Sequence, residues 1–324
     1  MKKVLCILVA CAIVLTSLSV ARGDSSIIVY SCLEQFRNDE LQKQLNENFP
    51  DLDVFVMYMP TAKVAAKLSI EGTETDADIV VGLEQAYMEK VENNMTDIDK
   101  YVHLDYMDDV KSKSKNYMTW ERQAGSVIVN KKILEKHNLP MPETYEDLLN
   151  PVYKDLIAMP DPKSSGTGFF FLKNLINVLG EDEAYAYIDE LAKNVKQFTE
   201  SGSGPVKLLI QGEIAIGLGL TFQGVNELNN GNDFILIEPE YGSPYSLTTT
   251  SMVKGREKNK DIERVFEFIA NDYMVYDKTY GSPEKVLKEQ TNMVENYPEN
   301  IKYADMTGIE DLEEKERLLA KWKY

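Results

Sequence analysis

The sequence predicts an α/β fold in which mostly parallel strands are flanked by helices. Three observations carry this. Short apolar runs alternate with segments of helical periodicity along most of the chain. Once the N-terminal segment is set aside, roughly 300 residues remain, enough for one large domain or two ordinary lobes. No repeat, low-complexity tract or long Pro/Ser linker divides them.

The first residues read as a targeting segment. Lys2-Lys3 is followed by a nearly continuous apolar run from Val4 to Val20. Small residues at Ser19-Val20-Ala21 and Ala21-Arg22-Gly23 suit cleavage, so residues 1–23 are expected to be a signal peptide. Leu8-Val9-Ala10-Cys11 offers a second reading, a lipoprotein box with a lipidated Cys11. The apolar run continues past Cys11 instead of turning polar, which favours ordinary export to the periplasm or cell surface. No later stretch approaches the length needed to cross a bilayer.

Ile27 to Ser31 is a short apolar strand, followed by helical periodicity over 33–48. Val54 to Met59 is a second strand, and Pro60 opens a helix over 61–70. Asp78 to Val81 forms a third strand ending at Gly82, with a helix over 84–91. The pattern lapses between Thr96 and Tyr117. It returns with a strand over 126–129, a short helix over 131–137 and a strand over 156–159. Helices are then expected over 168–179, 182–193 and 205–211, a strand over 214–220, a helix over 222–229, and strands over 234–238 and 246–253. Ile262, Val265, Phe266 and Ile269 have the spacing of one buried helix face, and the rest of the chain reads as mostly helical.

Acidic residues number 53 against 35 basic ones, for a net charge of −18; without Lys2, Lys3 and Arg22 this falls by three, to −21. Such a surface repels nucleic acid and anionic lipid. Of three cysteines, only Cys32 lies beyond the N-terminal segment, so no internal disulfide is expected and Cys32 reads as a small buried residue or a reactive thiol. Enzyme signatures are missing. The two histidines are His103 and His137. There is no Gly-x-Ser-x-Gly elbow, His-Glu-x-x-His pair or phosphate loop, and Asp97-Ile98-Asp99 lacks the rest of a calcium loop. A secreted hydrolase is therefore a distant alternative, and no cofactor or metal site is expected.

Two tracts are rich in backbone N–H groups and hydroxyls: Ser164-Ser165-Gly166-Thr167 with Gly168, and Ser201-Gly202-Ser203-Gly204. Each precedes a helix, which is the chemistry of an anion cradle, although the same residue types serve as ordinary helix caps.

The order of motifs resembles the type 2 periplasmic binding proteins, the solute receptors of ABC importers, in the branch holding ferric-iron, thiamine, phosphonate and sugar-phosphate receptors. The resemblance is carried by Ile28-Val29-Tyr30-Ser31, Ala77 to Gly82, Val129-Asn130-Lys131, Pro142 to Leu148 and Asp161-Pro162 with Ser165-Gly166-Thr167. It continues through Ser201-Gly202-Ser203, Gly212 to Gly217 and Thr248 to Gly255. It implies a two-lobed fold with mixed sheets, helices on their faces and a two-strand hinge. One lobe would be residues 24–120 plus 250–324 and the other 121–249, with crossings near 118–128 and 240–250. It also implies a monomer that binds a small solute and meets the membrane subunits of an ABC permease.

In such a cleft the loops at strand ends meet the solute. The expected binding residues are Tyr30, Ser31, Gly82, Ser164, Ser165, Gly166, Thr167, Ser201, Gly202, Ser203, Gly204, Thr221 and Gln223, with Tyr245 closing over from the crossing. For Tyr30 the alternative is packing on its own lobe; for Thr221 and Gln223 it is helix capping. Glu84 reads as a charge opening a helix, and Trp120 as a ring either packed in a lobe or facing a cation. A solute bearing phosphate or phosphonate, thiamine phosphate included, fits the two tracts. An organic cation such as thiamine or a polyamine has weaker support from the acidic composition. The iron receptors the chain resembles carry adjacent tyrosines after the strand corresponding to 214–220. Here that place reads Thr221-Phe222-Gln223, which disfavours ferric iron.

Overall fold

A computed structural model describes residues 26–324, so the signal peptide expected over 1–23 and the lipidation of Cys11 lie outside the described residues. The chain begins with β1 (Ile27–Ser31), α1 (Gln35–Asn48), β2 (Val54–Tyr58), α2 (Thr61–Glu71), β3 (Ile79–Glu84) and α3 (Gln85–Val91). The long β4 (Met118–Asn130) leads to α4 (Lys131–His137), β5 (Ile157–Pro160), α5 (Gly166–Leu179), α6 (Glu181–Leu191), β6 (Val195–Thr199), α7 (Gly204–Ile210), β7 (Ile216–Leu220), α8 (Thr221–Asn229) and β8 (Phe234–Ile237). The chain closes with β9 (Tyr245–Met252), α9 (Lys260–Phe268), α10 (Met274–Tyr280) and α11 (Leu312–Lys321).

The strands run in the order β2-β1-β3-β9-β4-β7-β5-β6, with β8 also on β4. β1 is parallel to β2 and β3, and β5 is parallel to β6 and β7, while β9 and β4 run antiparallel to their neighbours. β4 belongs to both halves. Residues Met118 to Ala124 pair with β9, and Gly125 to Asn130 pair with β7 and β8. The fold is thus a two-lobed, mixed α/β arrangement. The chain passes between its lobes through β4 and through the segment entering β9.

Each lobe has a core on both faces of its sheet, as a sheet covered by helices requires. In the first, Leu41 and Leu45 of α1 meet Trp120, Val265 and Phe266, while Val64 and Leu68 of α2 cover Tyr30 and Val80 on the other face. In the second, Phe169 to Leu172 of α5 pack on Met159 and Leu218, while Val206 and Leu209 of α7 cover Ile128 and Phe234.

Three features differ from the sequence expectation. β6 was not anticipated; Val195-Lys196-Gln197-Phe198-Thr199 holds two large apolar side chains and sits at a sheet edge, paired only with β5. Residues 281–311 hold no helix, and Pro283 and Pro298 interrupt any helical run there. The chain end, expected on the first lobe, divides. Val286 and Leu287 pack in the first lobe's core, whereas Tyr297, Ala304, Met306, Leu318 and Trp322 complete the core of the second. Trp322 stands edge-on to Phe198 at 5.2 Å between ring centres.

Candidate functional site

The two Ser/Gly tracts meet. Ser165 caps α5, its hydroxyl accepting from the Gly168 N–H, and the second tract turns into α7. Thr167 of one tract touches Gly202 of the other so closely that a Cβ on the glycine would overlap the threonine hydroxyl. Both tracts line one cavity of about 410 Å³ between the lobes.

The opposite wall comes from the first lobe: Cys32 to Gln35 at the start of α1, Tyr58, Pro60 and Thr61 at the start of α2, and Glu84 at the end of β3. Gln123, Ser246 and Thr248 on the crossing strands form the back. Four helices, α1, α2, α5 and α7, therefore begin at this cavity. Within the described residues, the backbone N–H groups of Gly166, Thr167, Gly202 and Ser203 have no acceptor. Their partial positive charge adds to that of the helix starts.

Two of the four charged side chains of the lining are ion-paired. Glu34 lies 3.0 Å from Arg37; burial pushes its carboxyl up despite that neighbour. Glu84 is ion-paired with Lys315 of α11. Glu200 and Lys207 have no ion-pair partner among the described residues, so Lys207 is an available cation at the rim. Burial pushes the Cys32 thiol up to about 12, with Thr61 opposing, so it is a neutral wall group. Among the described residues no group of three or more His, Cys, Asp and Glu is placed to hold a metal, and Tyr58 is the one tyrosine in the lining.

Of the residues expected from the sequence, Ser164 to Thr167 and Ser201 to Ser203 line the cavity together. The others lie elsewhere. Tyr30 is buried in the first lobe, its hydroxyl bonded to Asp76; burial and that carboxylate push it up to about 12. Ser31 is buried and accepts from the Leu33 N–H at 3.2 Å. Gly82 has φ +76 within β3, where the pairing with β9 shifts register between Val80 and Leu83, and a Cβ there would meet Leu33 at 2.8 Å, so its glycine serves that irregularity. Gly204 packs on Thr199 at the start of α7. Thr221 shares a hydrogen bond with Ser126 at 2.7 Å, and Gln223 is buried on α8. Tyr245 stacks edge-on with Tyr303 at 5.3 Å and lines a second cavity of about 430 Å³ on the far side of Glu84. Trp120 is buried 6.0 Å from Tyr273.

Sequence reasoning missed Glu34, Gln123, Lys207 and Thr248. Lys207 alone carried a local signal, one turn into the helix that follows the second tract. Glu84 is the first residue before α3, yet its side chain caps nothing; it faces the cleft instead.

Comparisons with known proteins bear on the family and the fold. Residues 75–307 match the family described as bacterial extracellular solute-binding protein. The periplasmic binding protein AfuA from Actinobacillus pleuropneumoniae, solved with exogenous fructose-6-phosphate, superposes with a TM-score of 0.79 at 20% identity, over 93% of this chain and 98% of that one. A periplasmic thiamin binding protein gives 0.74 at 13% identity, over 92% and 95%. A ferric binding protein from Campylobacter jejuni gives 0.70 at 18%, over 91% and 98%. At such identities the likeness is one of fold. An uncharacterized protein of Haemophilus influenzae is 34% identical over 126 residues, 39% of this chain; the match spans 36% of that relative's length.

Proposed function

For a chain that belongs to the bacterial extracellular solute-binding proteins, we propose that the interlobe cavity captures a small solute bearing a phosphate or phosphonate group, thiamine phosphate included. The closed form then delivers it to the membrane permease of an ABC importer. The protein acts as an exported monomer, by binding and closure, without covalent chemistry. Among the described residues no helix is long and apolar enough to cross a membrane, and a permease would supply the membrane path.

The observation that carries this reading is the meeting of two Ser/Gly tracts in one cavity, with four unpartnered N–H groups and Lys207 beside them. Fixed dipoles of this kind hold a phosphate without needing a cation for each negative charge. The ferric-iron reading has less support, because hard Fe(III) requires several converging anionic oxygens: the lining offers one tyrosine and three glutamates, two of them already paired with Arg37 and Lys315, and among the described residues no acidic group of three is placed to hold a metal. Import needs only that the solute favour the closed state over the open one.

Calorimetric titration with inorganic phosphate, fructose 6-phosphate, methylphosphonate, thiamine phosphate and ferric citrate tests this. Saturable binding of at least one phosphorus compound is expected. Silence from all of them, with a tyrosinate-to-iron colour on adding ferric citrate, would replace this reading with the iron one.

A further inference from the structure

Beside the cradle, Glu84 and Thr248 face each other across the β3–β9 ladder as directly opposed residues. Both line the same cavity, and both are about 3% exposed. One oxygen of the Glu84 carboxylate is bound by Lys315, whose ammonium is held between the Tyr87 and Phe169 rings, 4.5 Å from each centre. The other, Oε2, has no hydrogen-bond partner, and neither has the Thr248 hydroxyl. Two buried polar atoms, one an acceptor and one able to donate, are thus left unsatisfied on opposed residues of the ladder that line one cavity. Leaving both atoms without a hydrogen bond is costly, and an unsatisfied carboxylate oxygen beside an anion cradle offers a bare phosphate nothing to donate to it. A solute hydroxyl resolves both problems, because it donates to the carboxylate while accepting from the threonine.

We propose that Glu84 and Thr248 form a hydroxyl-reading subsite, so that the preferred solute is a hydroxylated phosphate ester and not inorganic phosphate or an alkyl phosphate. This rests on the reading of the neighbouring tracts as a phosphate cradle. Lys315 acts as a positioning residue: arriving on α11 from the second lobe, it engages one carboxylate oxygen and leaves Oε2 to the solute. Discrimination comes from an unmet hydrogen bond with the wrong solute as much as from attraction to the right one.

The test is calorimetric titration of the full chain and its Glu84→Gln and Thr248→Val variants with fructose 6-phosphate, hexyl phosphate and inorganic phosphate. The unaltered protein is expected to bind fructose 6-phosphate at least about tenfold more tightly than hexyl phosphate, and each variant to lose about ten- to hundredfold in affinity for the sugar phosphate alone. Thr248→Val preserves shape and carries the test by itself should Glu84→Gln fail to fold. An equal response of the unaltered protein to the hexyl and sugar phosphates, or a preference unchanged in the variants, overturns the subsite while sparing the cradle. Silence of the unaltered protein towards all three probes overturns both.

Discussion

Gly202 lies against Thr167 so closely that a Cβ would overlap the threonine hydroxyl, although Thr167 opens α5 and Gly202 precedes α7. The contact turns two separate tracts into one surface. Gly202→Val would push into Thr167 and cover the neighbouring N–H groups. Its φ lies outside the left-handed region, so backbone strain adds nothing. Affinity for the tightest phosphate probe should fall beyond detection by calorimetry, while the melting temperature drops only about 2–4 °C. An unchanged affinity would mean that the tracts are merely caps.

Gly166 faces the other lobe. A Cβ there would stand 2.6 Å from Glu84 Oε2, across the cleft. Gly166→Ala should therefore leave the open form intact and obstruct closure. In small-angle scattering the unaltered protein should contract on adding a saturating phosphate probe, and the variant should not. Equal contraction in both would show that the glycine is not required for the lobes to meet.

Legibility followed the range of the interactions. β1 and β8 were readable because their apolar runs are local, and the Ser/Gly tracts because composition announces a free N–H. β4 was seen only over 126–129, since its first half contains Glu121 and Arg122, whose burial depends on partners far along the chain. Glu84 and Lys315 lie 231 residues apart, and no periodicity links them. The same holds for the chain end. It was expected on the first lobe, but Leu318 and Trp322 turn towards the second lobe while Lys321 and Arg317 bind Glu181 at its surface.

That placement has a stability consequence. Trp322 is buried against Phe198 although it is the third residue from the end. Trp322→Ala should destabilise the protein by about 3–5 kcal/mol in denaturant unfolding. A frayed, weakly packed terminus would instead give a loss within experimental error.

Arg37 is the centre of a buried ionic cluster behind the cleft. Its guanidinium reaches Asp277 Oδ1 at 2.8 Å and Glu121 Oε2 at 2.8 Å, and Lys278 approaches the same two carboxylates at 3.1 and 3.4 Å. Burial alone would raise the Glu121 carboxyl, but Arg37 and Lys278 outweigh it and hold it to about 2. Arg37→Met leaves Glu121 and Asp277 to one lysine and takes the paired cation from Glu34, and should cost about 3–5 kcal/mol at pH 7. The pH dependence fixes the sign. An unfolded glutamate titrates near 4.3, so the depressed Glu121 contributes stability that is full above that value and lost as pH falls towards about 2. Glu34, raised by burial, acts in the opposite direction and blunts the loss. Without Arg37 the Glu121 carboxyl rises and this acid-sensitive contribution shrinks. The gap between the two proteins should therefore narrow by about 1–2 kcal/mol between pH 7 and pH 3, read from urea midpoints at both values. A gap that stayed constant or widened on acidification would show that Arg37 is not what holds Glu121 ionised.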